Sequence, residues 1–172
     1  MVGVDYASSM DFVDESHMGV TGASFGGYMT NWIIAHTDLF DAAVTEVTTS
    51  NRYSQWGTSD YGHSNGKWEF PGSPWSSWES ARHYLERSPI SYVEDMHTPL
   101  LIIQAEKDYR CPLEQAEQLY TALVVLQREV EMVIVPDESH VFSRTGQPRH
   151  REERLVRMSD WFAKHLEKET QD

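Results

Sequence analysis

The sequence predicts an α/β fold with a mainly parallel sheet of about four strands flanked by helices. Three observations predict it. Strand-like and helix-like segments alternate along the chain. The most apolar strand, Pro99–Ala105, is a continuous run rather than an alternating one, which suits a strand covered on both faces. A glycine-rich turn joins the first strand directly to a helix, the start of a β-turn-α-β unit.

Val2 to Ser9 reads as the last turns of a helix, and His17 to Gly22 as a short buried strand. Past the turn, Tyr28 to His36 has the bulk and spacing of a buried helix, and Phe40 to Val47 returns as a strand. Between Ser50 and Ser88 the periodicity dissolves. Tyr53, Trp56, Tyr61, Trp68, Phe70, Trp75, Trp78 and Tyr84 are spread among Gly, Pro, Ser and Asn, and the stretch is read as an irregular excursion from the sheet. After the strand Pro99–Ala105, residues Pro112 to Gln127 place Leu113, Ala116, Leu119, Tyr120, Leu123 and Leu126 at helical spacing, with proline suited to the helix start. Glu131 to Pro136 is the last strand. Arg149 to Glu169 is a closing helix with Leu155, Met158, Trp161, Phe162 and Leu166 on one side. No repeat, low-complexity tract or dividing linker interrupts the 172 residues, so one domain is expected.

Composition excludes several classes of function. Fourteen basic against 27 acidic side chains leave a formal charge of −13, which repels nucleic-acid phosphates and anionic lipid headgroups. Neither a nucleic-acid nor a membrane partner is expected, and no window approaches a membrane span or a signal peptide. Cys111 is the one cysteine, so no disulfide can form within the chain and a Cys-based metal site is excluded. The eight histidines include no HxxxH or HxH pair, so no metal and no cofactor are expected. His36, His83 and His165 are assigned to packing or helix surfaces.

The chemistry concentrates in Gly22-Ala23-Ser24-Phe25-Gly26, a Gly-x-Ser-x-Gly pattern between a strand and a helix. Such a serine sits on a strained turn. The flanking glycines are expected to prevent side chains two residues either side from colliding with neighbouring backbone. The N–H of Phe25, at the helix start, could bind charge developing on a carbonyl oxygen. A serine hydroxyl is a weak nucleophile and needs a base and a group to orient it. Parallel strands bring their carboxyl ends to one edge. The strand ending near Ala105 is followed by Asp108, and the strand ending near Pro136 by His140. Glu106 and Asp137 are rival acids. Cys111 has no evident activating base and is read as inert. The order Ser, Asp, His is that of α/β-hydrolases.

These residues carry a family resemblance. Gly22 to Ile34, Thr58-Ser-Asp60, Asn65 to Trp75, Ser88-Pro89, Thr98 to Ile102, Asp108-Tyr-Arg-Cys-Pro112 with the helix after it, and Glu138-Ser-His140 together resemble the catalytic domain of the prolyl oligopeptidase family, most closely its acylaminoacyl-peptidase branch. The resemblance runs from about Met1 to Lys168. It implies Ser24 as nucleophile, Asp108 as orienting acid and His140 as general base, with Arg110 holding the catalytic loop and the acylated end of the substrate. It also implies that residues 1–172 form the C-terminal portion of a truncated α/β-hydrolase domain, with upstream strands, a second oxyanion donor and a β-propeller absent. Ala23 stands where glycine is common in the family, and Phe25 where tyrosine is common.

The function expected is a serine hydrolase cleaving short peptides with acylated N-terminal residues. A carboxylesterase using the same three residues, or an inactive fragment that assembles through its exposed sheet, is the alternative. Trp56 and Val141 are candidates for the substrate-pocket wall. An open edge beside the Ser24 strand leads to the expectation of a homo-oligomer, most simply a two-fold dimer. A cytoplasmic setting is expected.

Overall fold

A computed structural model describes residues 2–70 and 72–167. Helix α1 (Val2–Ser8) has no buried residue and leads to strand β1 (Gly19–Ala23). Helix α2 (Phe25–Ile34) starts immediately after Ser24, and β2 (Ala42–Glu46) follows it. The remaining strands are β3 (Leu100–Ala105) and β4 (Val130–Val135), separated by α6 (Leu113–Val125). Short α7 (Phe142–Thr145) and long α8 (Pro148–Leu166) follow β4. The sequence places the end of the closing helix at Glu169, but the helix stops at Leu166 with Glu167 extended, and residues 168–169 lie outside those described.

The four strands form one sheet in the order β1-β2-β3-β4. Every pairing is parallel, with Gly19 opposite Ala42, Ala43 opposite Leu100 and Leu100 opposite Val130. The continuous apolar reading of β3 has its reason in this arrangement. All six of its residues are buried, alternate ones serving two cores. Leu100 and Ile102 pack with Ala43, Ile34 of α2 and Ala116, Leu119 and Leu123 of α6. Leu101 and Ile103 pack on the other face with Val44, Phe142 and Trp161 of α8. The result is a helix-sheet-helix sandwich. No helix among the described residues is long and apolar enough to cross a membrane.

The segment between Ser50 and Ser88 departs from the expectation of irregular structure. It contains α3 (Arg52–Thr58), α4 (Gly62–Glu69) and α5 (Trp78–Leu85). These helices are about two turns each, too short to develop a repeating apolar stripe. Their starts are fixed locally instead: Asn51 Oδ1 accepts from the N–H groups of Tyr53 and Ser54 at 3.0 and 3.2 Å, and Ser77 Oγ accepts from Ser80 N–H at 3.0 Å. The aromatic rings then pack between helices, Phe70 stacked on Tyr84 with centroids 4.0 Å apart and Trp56 edge-on to Trp75 at 4.5 Å. The side chain of Trp68 lies outside the described residues. A 3₁₀ stretch, Pro89–Asp95, returns the chain to β3.

Candidate active site

Because all four strands run the same way, the loops after β1, β2, β3 and β4 meet along one edge. Ser24 follows β1 with φ 60° and ψ −119°, a conformation that L side chains rarely adopt and that costs about 1–3 kcal/mol. Two hydrogen bonds hold it there. Ser24 N–H donates to Glu46 C=O at the end of β2, and Ser24 C=O accepts from Tyr28 N–H, both at 2.9 Å. A Cβ on Gly22 would lie 2.3 Å from the carbonyl oxygen of Gly26, so that glycine is required by close approach. The second crowded glycine is Gly27, whose Cβ would lie 2.8 Å from Glu46 O. A Cβ on Gly26 would meet nothing within 4 Å. The steric role expected of Gly26 therefore belongs to its neighbour, because α2 turns Gly27 onto β2 and Gly26 away from it.

Ser24 Oγ lies 2.8 Å from His140 Nε2, and His140 Nδ1 lies 2.8 Å from Asp108 Oδ2. Asp108 is 2% exposed. Its other oxygen accepts from the backbone N–H groups of Arg110 at 2.9 Å and Cys111 at 2.8 Å, which fixes the carboxylate independently of the histidine. The rival acids are engaged elsewhere: Glu106 accepts from Asp137 N–H at 2.8 Å, and Asp137 pairs with Lys107. The loop carrying His140 is anchored by buried Glu138, which accepts from Gln147 N–H at 2.8 Å and bonds His150 Nδ1 at 2.7 Å. Phe25 opens α2, and the first N–H groups of a helix have no acceptor within it. The Phe25 ring is exposed and stacks on Tyr28. Cys111 is buried, and burial pushes its thiol up to about 11, which keeps it protonated at neutral pH.

Beside Ser24 opens a cavity of about 70 Å³ whose wall includes Tyr28, Thr49, Arg52, Tyr61 and Arg110. Arg110 donates to Asp60 Oδ1 at 2.8 Å and lies over the Tyr61 ring at 4.9 Å, tying the Asp108 loop to the turn before α4. Trp56 and Val141 do not line this cavity. The Trp56 ring packs edge-on to Trp75, and Val141 is an exposed residue that precedes α7. Arg52, which sequence reasoning missed, stands buried in the cavity wall. The signal was available: Arg52 follows the carboxyl end of β2, the same edge from which Ser24, Asp108 and His140 were chosen.

The family model for the prolyl oligopeptidase family matches residues 1–169. An uncharacterized peptidase YuxL of Bacillus subtilis (strain 168) is 44% identical over 96% of this chain and 25% of its own length. The acylamino-acid-releasing enzyme of Arabidopsis thaliana is 29% identical over 96% of the chain and 22% of its own. Among solved structures, Pyrococcus horikoshii acylaminoacyl peptidase superposes with a TM-score of 0.86 at 32% identity, covering 98% of this chain and 27% of that one. An acylaminoacyl peptidase in complex with Z-Gly-Gly-Phe-chloromethyl ketone gives the same figures. The chain thus spans about a quarter of the length of these relatives. With the family's match running almost from end to end, the chain belongs to the prolyl oligopeptidase family.

Proposed function

We propose that the protein is a serine peptidase of acylaminoacyl-peptidase type, with Ser24 as nucleophile, His140 as general base and Asp108 as the group that orients and charges the base. The observation that carries this reading is the unbroken chain of hydrogen bonds from Ser24 Oγ through His140 to buried Asp108. Asp108 can only accept when ionised, so the His140 proton sits on Nδ1 and Nε2 turns its lone pair to the serine hydroxyl. Attack of Oγ on the substrate carbonyl passes the serine proton to Nε2, and the imidazolium returns it to the leaving amine as the C–N bond breaks. Water then repeats the sequence on the acyl-enzyme, losing its proton to His140 and releasing the acid and free Ser24. The Phe25 N–H faces the oxyanion in both halves.

The substrate class rests on the relatives named above, among them an enzyme that releases acylamino acids and a peptidase solved with a peptide chloromethyl ketone. The test compares an N-acetyl-aminoacyl 4-nitroanilide with a 4-nitrophenyl ester. A peptidase cleaves both through Ser24 and loses both in Ser24→Ala. An enzyme that turns over the ester alone is an esterase and contradicts the proposal.

A further inference from the structure

Two guanidinium groups, those of Arg52 and Arg110, line the cavity beside Ser24, and no carboxylate lines it among the described residues. Their acidic partners, Asp60 and Glu69, stand outside the cavity wall and are about half exposed. In a chain of net charge −13 the charged groups that face this cavity, beside the proposed nucleophile, are cationic, each balanced by a carboxylate outside the wall. Arg52 is the more constrained of the two. Its side chain is 9% exposed, Nη1 donates to Gln55 Oε1 at 2.9 Å, Nη2 pairs with Glu69, and the guanidinium lies over the rings of Tyr28 at 5.8 Å and Phe70 at 5.3 Å.

Size and chemistry agree. One water needs about 10–15 Å³ of the kind of space counted here, so about 70 Å³ admits roughly five water-sized groups, the number of heavy atoms in a glutamate side chain. The wall is mixed: Phe25, Tyr28 and Tyr61 contribute rings, and Thr49, Gln55 and Ser59 are engaged within the protein, Gln55 Nε2 donating to Thr49 Oγ1 at 2.8 Å and Ser59 Oγ to the Arg110 carbonyl at 2.8 Å, so the guanidinium groups are the charged groups that an entering side chain meets. A carboxylate entering the cavity meets positive charge, whereas a purely apolar side chain takes water from the guanidinium groups and returns no hydrogen bond.

We infer that this cavity is a subsite for an acidic side chain on the acylating residue of the substrate, with Arg52 as the residue that selects it. The inference rests on the serine-peptidase reading and adds a substrate class to it. Glu69 occupies Arg52 in the free enzyme, and the substrate carboxylate competes with it for the guanidinium. That competition separates selection from a structural ion pair. If Arg52 only holds α3 against α4, the identity of residue 69 has no bearing on which substrate is preferred.

The experiment measures kcat/KM for N-acetyl-Glu-4-nitroanilide and N-acetyl-Leu-4-nitroanilide in the wild type, Arg52→Met and Glu69→Gln, with fluorophosphonate labelling of Ser24 as the control. A charge-assisted hydrogen bond supports a preference of about tenfold or more for the Glu substrate in the wild type. That ratio should fall below one in Arg52→Met and rise several-fold in Glu69→Gln, which removes the competing charge and keeps the shape. Preference for the Leu substrate in a wild type whose Ser24 labels, or a ratio that Glu69→Gln leaves unmoved, overturns the inference while the serine-peptidase reading stands. No turnover of either anilide together with no labelling of Ser24 overturns that reading, and the inference falls with it.

Discussion

At the scale of single residues the site depends on backbone approach as much as on functional groups. Ser24 holds its positive φ because the strand below and the helix above crowd in, and Gly22 and Gly27 are the positions where a Cβ has no room. Gly26 is different, although it is the glycine that the Gly-x-Ser-x-Gly pattern names. Gly26→Ala is accordingly expected to keep fluorophosphonate labelling and to gain up to about 1 kcal/mol from helix propensity. Gly22→Ala should lose labelling, because the new methyl forces apart the turn that aims Ser24. Equal labelling in the two variants would refute this assignment of the crowded position. The motif was legible from the sequence because residue types and spacing encode it. Which glycine is crowded was not, since that depends on how α2 rolls against β2.

At the scale of elements, the strands and long helices could be read because burial on one or two faces writes a period into the sequence. The run Leu100 to Ala105 and the 3.6-residue pattern of Leu113 to Val125 are examples. Helices α3 to α5 could not, being too short for a period, with α3 and α5 started locally by Asn51 and Ser77. Arg52 opens one of them, and its place after the carboxyl end of β2 is legible even though its helix is not. The element that holds His140 is the loop after β4, and it depends on Glu138. Burial alone would raise the carboxyl of Glu138, but the Gln147 N–H and His150 more than offset this and leave it lowered. A carboxyl depressed by folding contributes stability above its unfolded value, near 4.5, and loses that contribution as pH falls through the folded value. The melting temperature of the wild type should therefore exceed that of Glu138→Gln at pH 7, with the gap closing below about pH 4.5. A gap independent of pH would mean that shape, not charge, anchors the loop.

For the whole molecule, β2 and β3 are covered on both faces, whereas β1 is an edge strand with Gly19, Thr21 and Ala23 exposed. An open edge is a template for pairing, so the 172-residue chain is expected to form a two-fold dimer through β1. Light scattering at micromolar concentration should give twice the monomer mass, and a stable monomer would contradict it. By the proposed mechanism the parallel sheet assembles Ser24, His140 and Asp108 into one nucleophilic unit. Mass spectrometry of the protein after fluorophosphonate treatment tests it most directly. The expected result is a single adduct on Ser24 that forms at pH 8 and whose rate drops by at least about a thousandfold in His140→Ala. An adduct on another residue, or one on Ser24 that forms as fast without His140, would contradict it.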